Sequence, residues 1–433
     1  MAGEKAGFSR GESCSGGKGL ISITGVILIV IIERPEEVRR ISELKKWVLV
    51  YGRRKTGKTF LVSNFVKYDE YFFVKTSRGI VTKDGDSVSY EAFLEILKRA
   101  LDEGKTVVVD EFHRLGQDFF DFLHYARKRG KLILISSTLF LSRKLVSAKS
   151  PLLGLFAEVP IGLISLRDCL KALEGFNLSK KDRLELAILL REPIAVDYFD
   201  EKKSARENIA LVLLSSVKTI PALIGEIFYE EEREMSSIYE GILRAIASGR
   251  VISGEIASYL FSRRLIKKED ASIIQPYLNN LVSFGLIRRV EVFNKRKFVY
   301  KIASPLVRIY YYADEKYNIS ERKVGREEIL RIIDELMPRI VEDEVREFLA
   351  EKHGLRESVI EAKDFEVDGC LLRFNKPEIA LEVKWGRVSG RDIKRVEEKL
   401  SKVPSARRVL FVQDKNDVEV KPSAIEVVDV DDL

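Results

Sequence analysis

The sequence has very few residues of the kinds that build disulfide frameworks or zinc sites. Its 433 residues include three cysteines and three histidines: Cys14, Cys169, Cys370, His113, His124 and His353. The cysteines are odd in number and far apart, and no CxxC or Cys/His ligand spacing is present. We therefore expect no disulfides, no zinc centre and no histidine ligand cluster. Free cysteines are typical of a reducing compartment, so we expect a cytoplasmic location.

A long hydrophobic run is also missing. The apolar stretch LISITGVILIVII (20–32) has 13 residues, whereas a helix that spans a hydrocarbon core of about 30 Å needs about 20. The charged segment ERPEE follows it, in place of the small-residue cleavage site of a signal peptide. We expect no membrane span, and we interpret residues 1–30 as a flexible N-terminal extension. A start codon assigned too far upstream would also account for its first 19 to 25 residues.

The composition is that of a globular protein with a heavily charged surface. Apolar residues make up 45% of the chain and charged residues 33%. A chain of 433 residues predicts two to four domains. The net charge of +7 is compatible with nucleic-acid binding without requiring it.

The pattern of apolar residues divides the chain into four parts after the extension. From 31 to 166, short apolar strand patterns alternate with helical patterns, which predicts an α/β fold with a parallel sheet. Residues 167–234 read as helices alone. Residues 235–317 read as three helices and two β-like runs joined by NKRK, the order of a winged helix-turn-helix. Residues 318–433 begin with helices and then alternate strands with one helix.

Residues 52–59, GRRKTGKT, fit the pattern GxxxxGK[ST] between a buried strand and a helix. Glycines let the backbone wrap around phosphates, and the helix that follows presents its positive end. In this pattern Lys58 reaches the β and γ phosphates, and Thr59 ligates Mg²⁺. The alternative interpretation is a solvated basic turn. We predict an ATP site formed by Gly52, Arg53, Arg54, Lys55, Thr56, Gly57, Lys58, Thr59 and Phe60.

Acidic and hydroxyl side chains follow two later strand patterns. TVVVDEF (106–112) places Asp110 and Glu111 where the chain leaves the sheet beside the phosphate loop. One carboxylate there can hold magnesium and the second can polarise an attacking water, so the pair favours hydrolysis over binding alone. KLILISST (131–138) ends near Ser137, whose hydroxyl can sense the γ phosphate. A helix cap is an equally plausible role for this hydroxyl.

These segments together resemble a known family. YGRRKTGKT (51–59), VVVDEF (107–112), LILISSTLF (132–140), SPLLG (150–154) and the preceding ERPEEVRRISEL (33–44) resemble the archaeal P-loop ATPase family of the AAA+ and STAND type. The resemblance covers residues 32–317. It implies a P-loop NTPase core at 31–166 with a sheet of order 5-1-4-3-2, a helical lid at 167–234 and a winged helix at 235–317.

The same resemblance implies roles for individual residues. Lys58 and Thr59 would carry nucleotide and metal binding, Asp110 the metal, and Glu111 the catalytic base. Relatives carry an arginine after the glycine of the segment that corresponds to SPLLG, whereas this chain has Leu155. If that arginine touches the γ phosphate in relatives, hydrolysis here is slower or needs a donor from another chain.

The winged-helix segment is basic, which leaves two interpretations open. A recognition helix can lie in the major groove while a basic wing contacts phosphates, or the domain can pack internally as part of the switch. The third helix is mostly apolar and offers Gln275, Asn279 and Asn280 as base-reading candidates. The basic residues are Arg263, Arg264, Lys267, Lys268, Arg288, Arg289, Lys295, Arg296 and Lys297.

Residues 318–433 carry a second candidate site. Asp368 lies in one strand pattern, and Glu382 and Lys384 share one face of the next, where they could hold a divalent metal and orient a water. This arrangement resembles the PD-(D/E)xK nuclease fold, a restriction-endonuclease-like α/β domain that is fused to archaeal ATPases. By the same resemblance Glu342 would join Asp368 and Glu382 as a metal ligand. The alternative is a degenerate domain that keeps the fold without catalysis.

These observations predict an ATP- and Mg²⁺-dependent switch protein that acts on nucleic acid, with cleavage by the C-terminal domain as a further expectation. The alternative is a STAND-like signalling or scaffold ATPase whose C-terminal domain is inactive and which forms an ATP-dependent homo-oligomer. Salt-dependent DNA binding favours the first reading. ATP-dependent assembly without DNA favours the second.

Overall fold

The computed structural model describes residues 20–21, 29–126, 129–138, 153–231, 233–361, 365–404 and 406–433. Most of the predicted N-terminal extension and of the SPLLG segment therefore lies outside the described residues. Two short strands, β1 (Leu20–Ile21) and β2 (Ile29–Val30), pair antiparallel near the N-terminus.

A mixed sheet of seven strands forms the centre of the first part of the chain. Its strands are β3 (Trp47–Tyr51), β4 (Glu70–Val74), β5 (Ile80–Thr82), β6 (Ser87–Val88), β7 (Thr106–Asp110), β8 (Lys131–Ser136) and β9 (Phe156–Pro160). The order across the sheet is β6-β5-β4-β7-β8-β3-β9. The neighbours from β4 to β9 pair in parallel, whereas β5 and β6 add antiparallel strands at one edge. The predicted α/β class with a parallel-rich central sheet is confirmed.

Helices cover both faces of this sheet: α1 (Pro35–Glu43), α2 (Lys58–Phe65), α3 (Tyr90–Asp102) and α4 (Gln117–Tyr125). Val48 and Val50 belong to the same buried cluster as Ile41 of α1, whereas Leu49 belongs to the cluster of Phe93 in α3. A strand that is buried on both faces must be apolar at every position, which explains the run WVLVY. The carboxyl ends of β3, β7 and β8 meet at one edge, and this edge carries the predicted site residues.

Helices replace strands in the next part of the chain: α5 (Leu166–Ala172), α6 (Lys180–Leu190), α7 (Ala205–Ser215) and α8 (Thr219–Glu230). The first three begin after serines whose side chains accept a backbone N–H of the first turn, namely Ser165, Ser179 and Ser204. Among the described residues no single helix is long and apolar enough to cross a membrane. Helices α7 and α8 pass that test only as a pair, with a bend of 65° between them.

Three helices and a hairpin follow in the order predicted from the sequence. They are α9 (Ser237–Ala247), α10 (Ser253–Ser262), α11 (Ala271–Ser283), β10 (Ile287–Val292) and β11 (Phe298–Ile302). The hairpin turns at Asn294, whose positive φ of 58° suits a tight turn.

Among its described residues, the C-terminal part combines three α-helices with six strands. Its elements are α12 (Pro305–Tyr317), α13 (Arg326–His353), β12 (Ser358–Glu361), β13 (Glu366–Val367), β14 (Gly369–Arg373), β15 (Lys376–Lys384), α14 (Gly390–Ser401), β16 (Arg407–Val412) and β17 (Glu426–Val428). Strands β14-β15-β16-β17 form one sheet, antiparallel between β14 and β15 and parallel thereafter.

The boundary predicted at residue 317 is crossed by a sheet. Strand β10 of the hairpin pairs in parallel with β12, so that β11-β10-β12-β13 form a four-stranded sheet. Apolar alternation identifies a strand but not its partner, and the sequence analysis therefore missed this connection. The hairpin and the C-terminal part share backbone hydrogen bonds.

An acidic stretch of α13 connects the helical part, the hairpin and the C-terminal sheet. Arg191, at the end of α6, forms ion pairs with Glu344 and Glu347. The guanidinium of Arg308 in α12 lies 2.6 Å from Asp343, and the cationic groups around Asp343 hold its pKa well below its usual value. Burial opposes the ionised form of Asp343, but its cationic neighbours outweigh that effect.

Candidate nucleotide-binding site

The phosphate loop is a tight turn between β3 and α2, and two of its glycines are required by geometry. A Cβ on Gly52 would lie 2.0 Å from the backbone carbonyl oxygen of Ile161, so no side chain fits there. Gly57 has a φ of +82°, which favours glycine, immediately before α2 begins at Lys58. The loop backbone can therefore approach a ligand closely at the positive end of a helix.

Lys58 occupies the centre of this loop. Its ammonium group donates hydrogen bonds to the carbonyl oxygens of Gly52 and Arg53, at 2.9 and 2.8 Å. Burial lowers the pKa of Lys58 to about 8, although the carboxylates of Glu111 and Asp110 act in the opposite direction. The ammonium group is therefore placed to bind a phosphate in the loop.

Asp110, at the end of β7, fits the role of a magnesium-binding carboxylate. Its Oδ2 atom accepts hydrogen bonds from the Thr59 hydroxyl and from the Tyr71 hydroxyl, each at 2.7 Å. Its Oδ1 atom is buried and finds no hydrogen-bond partner among the described residues, and burial raises the pKa of this carboxyl group. An unpartnered carboxylate oxygen beside a threonine hydroxyl matches the oxygen ligands that Mg²⁺ prefers. The sequence analysis did not identify Tyr71, which lies on β4.

Glu111 follows Asp110 in a left-handed backbone conformation, with a φ of +57°. Its Oε2 atom accepts a hydrogen bond from the Ser137 hydroxyl at 3.0 Å and lies 3.1 Å from the guanidinium of Arg114. Glu111, Arg114 and Ser137 line the same cavity as Lys58 and Thr59, and its volume is about 590 Å³. A cavity of this size is typical of small-molecule sites.

The phosphate loop contacts the helical part through both of its arginines. The guanidinium of Arg53 donates to both carboxylate oxygens of Glu192, at 3.0 and 2.7 Å, and both side chains are buried. Arg54 lies 2.7 Å from Glu230 and 3.1 Å from Glu226, both in α8. Arg54 lines the cavity, whereas Arg53 does not. We predicted that Arg53 contacts the nucleotide, but its charge is directed at the helical part.

The other predicted loop residues divide in the same way. Lys55, Gly57 and Phe60 line the cavity. Thr56 is buried, and its hydroxyl donates to the Arg53 carbonyl at 3.0 Å, so it shapes the loop. Leu155, the position for which the resemblance implies an arginine, packs against the core of the sheet.

The expectation that the histidines join no ligand cluster is wrong for His113. Its Nε2 atom lies 3.5 Å from Glu111 and 3.6 Å from Glu230. Within the described ranges, these three are the one group of three His, Cys, Asp or Glu residues whose ligand atoms all lie within 4.8 Å of one another. Burial lowers the pKa of His113 to about 4, so the imidazole is neutral near pH 7. Spacing could not reveal this group because Glu230 is far away in the chain.

The C-terminal candidates lie near one another without converging on one point. The Glu382 carboxylate accepts hydrogen bonds from Lys384 at 3.0 Å and from Lys399 at 2.8 Å. Asp368 accepts the backbone N–H of Val383 at 2.9 Å. In the part of the chain that the structure describes, Glu342, Asp368 and Glu382 do not form a three-ligand group. These residues do not fit a common metal in this arrangement, and Lys399 was not foreseen from the sequence.

Glu342 and Asp368 nevertheless share an environment. Both line a cavity of about 670 Å³ between the helix–hairpin part and the C-terminal strands. Burial, followed by the charge of Asp368, raises the pKa of Glu342 to about 7. Burial, followed by the charge of Glu382, also raises the pKa of Asp368.

Two of the three base-reading candidates on α11 have partners inside the protein. Gln275 hydrogen-bonds with Tyr300, and the Asn280 amide donates to Tyr239 at 2.7 Å. Asn279 is exposed. Arg288 is tied to Glu357, so it belongs to the internal ion-pair network and not to a free wing surface.

Comparison with known proteins adds a family match for the first part of the chain. Residues 44–167 match the model described as AAA domain. The chain is 24% identical over 414 residues to the uncharacterized protein MJECL04 of Methanocaldococcus jannaschii, and the match covers 85% of this chain and 90% of that protein. The segment that carries the phosphate loop, Asp110 and Glu111 is therefore an AAA-type domain.

Two solved structures are also similar. The ORC2 protein of Aeropyrum pernix, in its ADPNP-ADP complexes, is 13% identical, with 72% of this chain and 91% of that chain covered and a TM-score of 0.34. The ORC1 protein of Aeropyrum pernix in complex with DNA is 15% identical, with coverage of 68% and 95% and a TM-score of 0.30. These TM-scores show that the whole chains superimpose poorly.

The pKa of Lys58 predicts how ATP affinity changes with pH. The ammonium form binds phosphate, and its pKa is about 8 in the nucleotide-free protein, so the affinity is complete below pH 8 and is lost above it. The Kd for ATP should rise about tenfold between pH 7 and pH 9. Titration of a fluorescent ATP analogue measures this. Lys58→Arg, whose guanidinium stays charged, should remove the slope, and a flat curve for the wild type would contradict the assignment.

Proposed function

We propose that this protein is an ATP-binding and ATP-hydrolysing switch that acts on nucleic acid. The observation that carries the ATPase proposal is the constellation at the carboxyl ends of β3, β7 and β8. There Lys58 fills the phosphate loop, Thr59 contacts Asp110, and one buried oxygen of Asp110 has no partner in the part of the chain that the structure describes. The AAA domain match over residues 44–167 supports the same reading.

Each residue of this constellation has a task in hydrolysis. The loop N–H groups and Lys58 bind the phosphates. Thr59 and Asp110 would hold Mg²⁺, which supplies charge neutralisation on the phosphate oxygens when bound. Glu111, whose carboxylate lines the cavity, orients a water and accepts its proton. The guanidinium of Arg114 lies 3.1 Å from Glu111, and the Ser137 hydroxyl donates a hydrogen bond to the same carboxylate.

The ion pairs of the loop support a switch. Arg53 and Arg54 bind acids of the helical part, so a nucleotide that competes for Arg54 changes the contact with α8. Arg191 immediately precedes Glu192 in the chain, and it forms ion pairs with Glu344 and Glu347 of α13. Movement of the helical part therefore reaches the helix that carries the C-terminal sheet.

A cluster of exposed cations supports nucleic-acid contact. Arg264, Lys267 and Lys268 lie between α10 and α11, and Arg296 lies at the tip of the hairpin. All four are exposed, and within the described chain none of them forms an ion pair. Free cations at the turn before a recognition helix and on a wing are placed to contact phosphates.

A second candidate function is metal-dependent phosphodiester cleavage by the C-terminal part. One observation favours it: Glu342 and Asp368 face one cavity, where burial, followed by the charge of Asp368, raises the pKa of Glu342 to about 7. The position of Lys399 argues against cleavage, because its ammonium group forms an ion pair with the Glu382 carboxylate. Cleavage therefore requires Lys399 to leave Glu382.

The central test is ATP hydrolysis with Mg²⁺ by wild type and by Glu111→Gln. The amide cannot accept the proton of water, so kcat should fall about 10²- to 10⁴-fold while the Kd for ATP stays within about twofold, since Glu111 is not in the phosphate loop. Glu103→Gln is the matched control, because Glu103 is an exposed carboxylate paired with Lys105. An unchanged rate in Glu111→Gln would remove Glu111 from the mechanism.

A triple variant tests the nucleic-acid proposal. Arg264→Ala/Lys267→Ala/Lys268→Ala should weaken duplex binding and reduce the salt dependence by about one to three ion equivalents. The control Lys98→Ala/Lys171→Ala/Lys202→Ala removes three exposed lysines elsewhere and should bind like the wild type. Equal binding by both triples would reject this surface. ATP-dependent oligomers that form without DNA, together with no DNA binding, would favour the STAND-like scaffold.

Cleavage is tested on plasmid and single-stranded DNA with Mg²⁺ or Mn²⁺, with and without ATP. Cutting by the wild type that disappears in Glu382→Ala, with Glu398→Ala as an exposed control on α14, supports the nuclease. Absence of cutting by the wild type while ATP is hydrolysed would leave the C-terminal part with a binding role.

A further inference from the structure

Glu230 reaches into the nucleotide site from the far end of the helical part. It is the last residue of α8, and its side chain is only 11% exposed. Its Oε1 atom accepts a hydrogen bond from Arg54 at 2.7 Å, and its Oε2 atom accepts one from the Ser137 hydroxyl at 3.1 Å. A carboxylate of the helical part is thus bonded both to the phosphate loop and to the end of β8.

The same Ser137 hydroxyl also donates to Glu111, at 3.0 Å. A serine hydroxyl has a single proton, so it can donate fully to only one of the two carboxylates at a time. Glu111 and Glu230 therefore compete for the one hydrogen bond that the Ser137 hydroxyl can donate. Each carboxylate has its own guanidinium partner, Arg114 for Glu111 and Arg54 for Glu230.

We propose that Glu230 is a positioning residue that takes the Ser137 hydrogen bond from Glu111 and thereby frees Glu111 to act on water. The inference rests on the proposed ATP hydrolysis and adds a regulator to the same site. A carboxylate that accepts a hydrogen bond is a weaker base and is held in one orientation. When Ser137 donates to Glu230, the Glu111 carboxylate becomes a stronger base and is free to reorient toward water.

Arg54 makes this competition depend on the nucleotide. It lines the cavity, so phosphates in the cavity attract its guanidinium away from Glu230. Once Arg54 has moved away, Glu230 accepts the Ser137 hydrogen bond more strongly. ATP binding therefore shifts Ser137 toward Glu230 and releases Glu111, and displacement of α8 returns Ser137 to Glu111.

The test measures kcat and KM for ATP in the full chain. In Glu230→Ala, Ser137 has only Glu111 to donate to, so kcat should fall about tenfold, the worth of one hydrogen bond to a charged group, with KM within about twofold. Glu230→Gln keeps a carbonyl acceptor for Ser137 and should recover most of kcat. A purely structural role would not produce this split or this rescue.

Glu226→Ala is the matched control. Glu226 lies on the same helix and pairs with the same arginine at 3.1 Å, but no contact joins it to Ser137. Its kcat should remain within about twofold of the wild type, because the Ser137 competition is untouched. A loss equal to that in Glu230→Ala would assign the effect to Arg54 and overturn the proposal.

The double variant Ser137→Ala/Glu230→Ala completes the cycle. Once the hydroxyl is gone, removal of Glu230 should cost no further activity, so the double variant should match Ser137→Ala alone. Losses that multiply would overturn the role of Glu230 while the proposed ATPase stands. A wild type that binds ATP without hydrolysing it would instead reject the proposed function and this inference together.

Discussion

The phosphate loop carries more positive charge than its own domain balances, and the helical part supplies the missing acids. The seven residues of the loop segment 52–58 include Arg53, Arg54 and Lys58. Arg53 is buried, and a buried charge without a partner costs several kcal/mol. Glu192 and Glu230 therefore determine where the helical part rests on the loop. The loop is shaped by glycine geometry, but its charge balance depends on a distant segment.

Under the proposed function, this dependence would give the molecule a route from the nucleotide to the C-terminal sheet. The neighbour of Glu192 in the chain, Arg191, bonds to the acidic stretch of α13. That stretch also holds Arg308 and Arg346, and Arg346 donates to the backbone carbonyl of Asp368. Ion pairs and rigid helices thus connect the two candidate sites without a gap. In the proposed switch, these contacts would transmit the replacement of Glu230 by a phosphate at Arg54.

The parts of the site that the sequence revealed are those set by local geometry. The glycine and lysine spacing of 52–59 and the carboxylates at the end of β7 follow from short-range rules, because carboxyl ends of parallel strands meet at one edge. Tyr71, Glu192 and Glu230 were missed because each arrives from another segment and has no spacing signal of its own. Arg53 was assigned to the nucleotide because sequence shows the charge of a loop residue and not its direction.

The fold shows the same division between local and distant information. Apolar runs and helical periodicity indicated the α/β class and the order of the helices before the hairpin. The pairing of β10 with β12 was not foreseen. The boundary at residue 317 was placed at a change in the pattern of apolar residues, and the pairing of two strands produces no such change. In the C-terminal part the strand pattern placed Glu382 correctly on β15, whereas Lys399, which lies on α14 and occupies that carboxylate, was invisible at the sequence level.

The account is tested most directly by amide hydrogen exchange with and without Mg²⁺ and a non-hydrolysable ATP analogue. It predicts altered exchange in the phosphate loop. It also predicts altered exchange in two segments outside the loop, α8 and residues 340–350 of α13. Lys58→Met with the analogue should show none of these changes. Changes confined to the loop and to the ends of β7 and β8 would contradict a switch that works through the helical part.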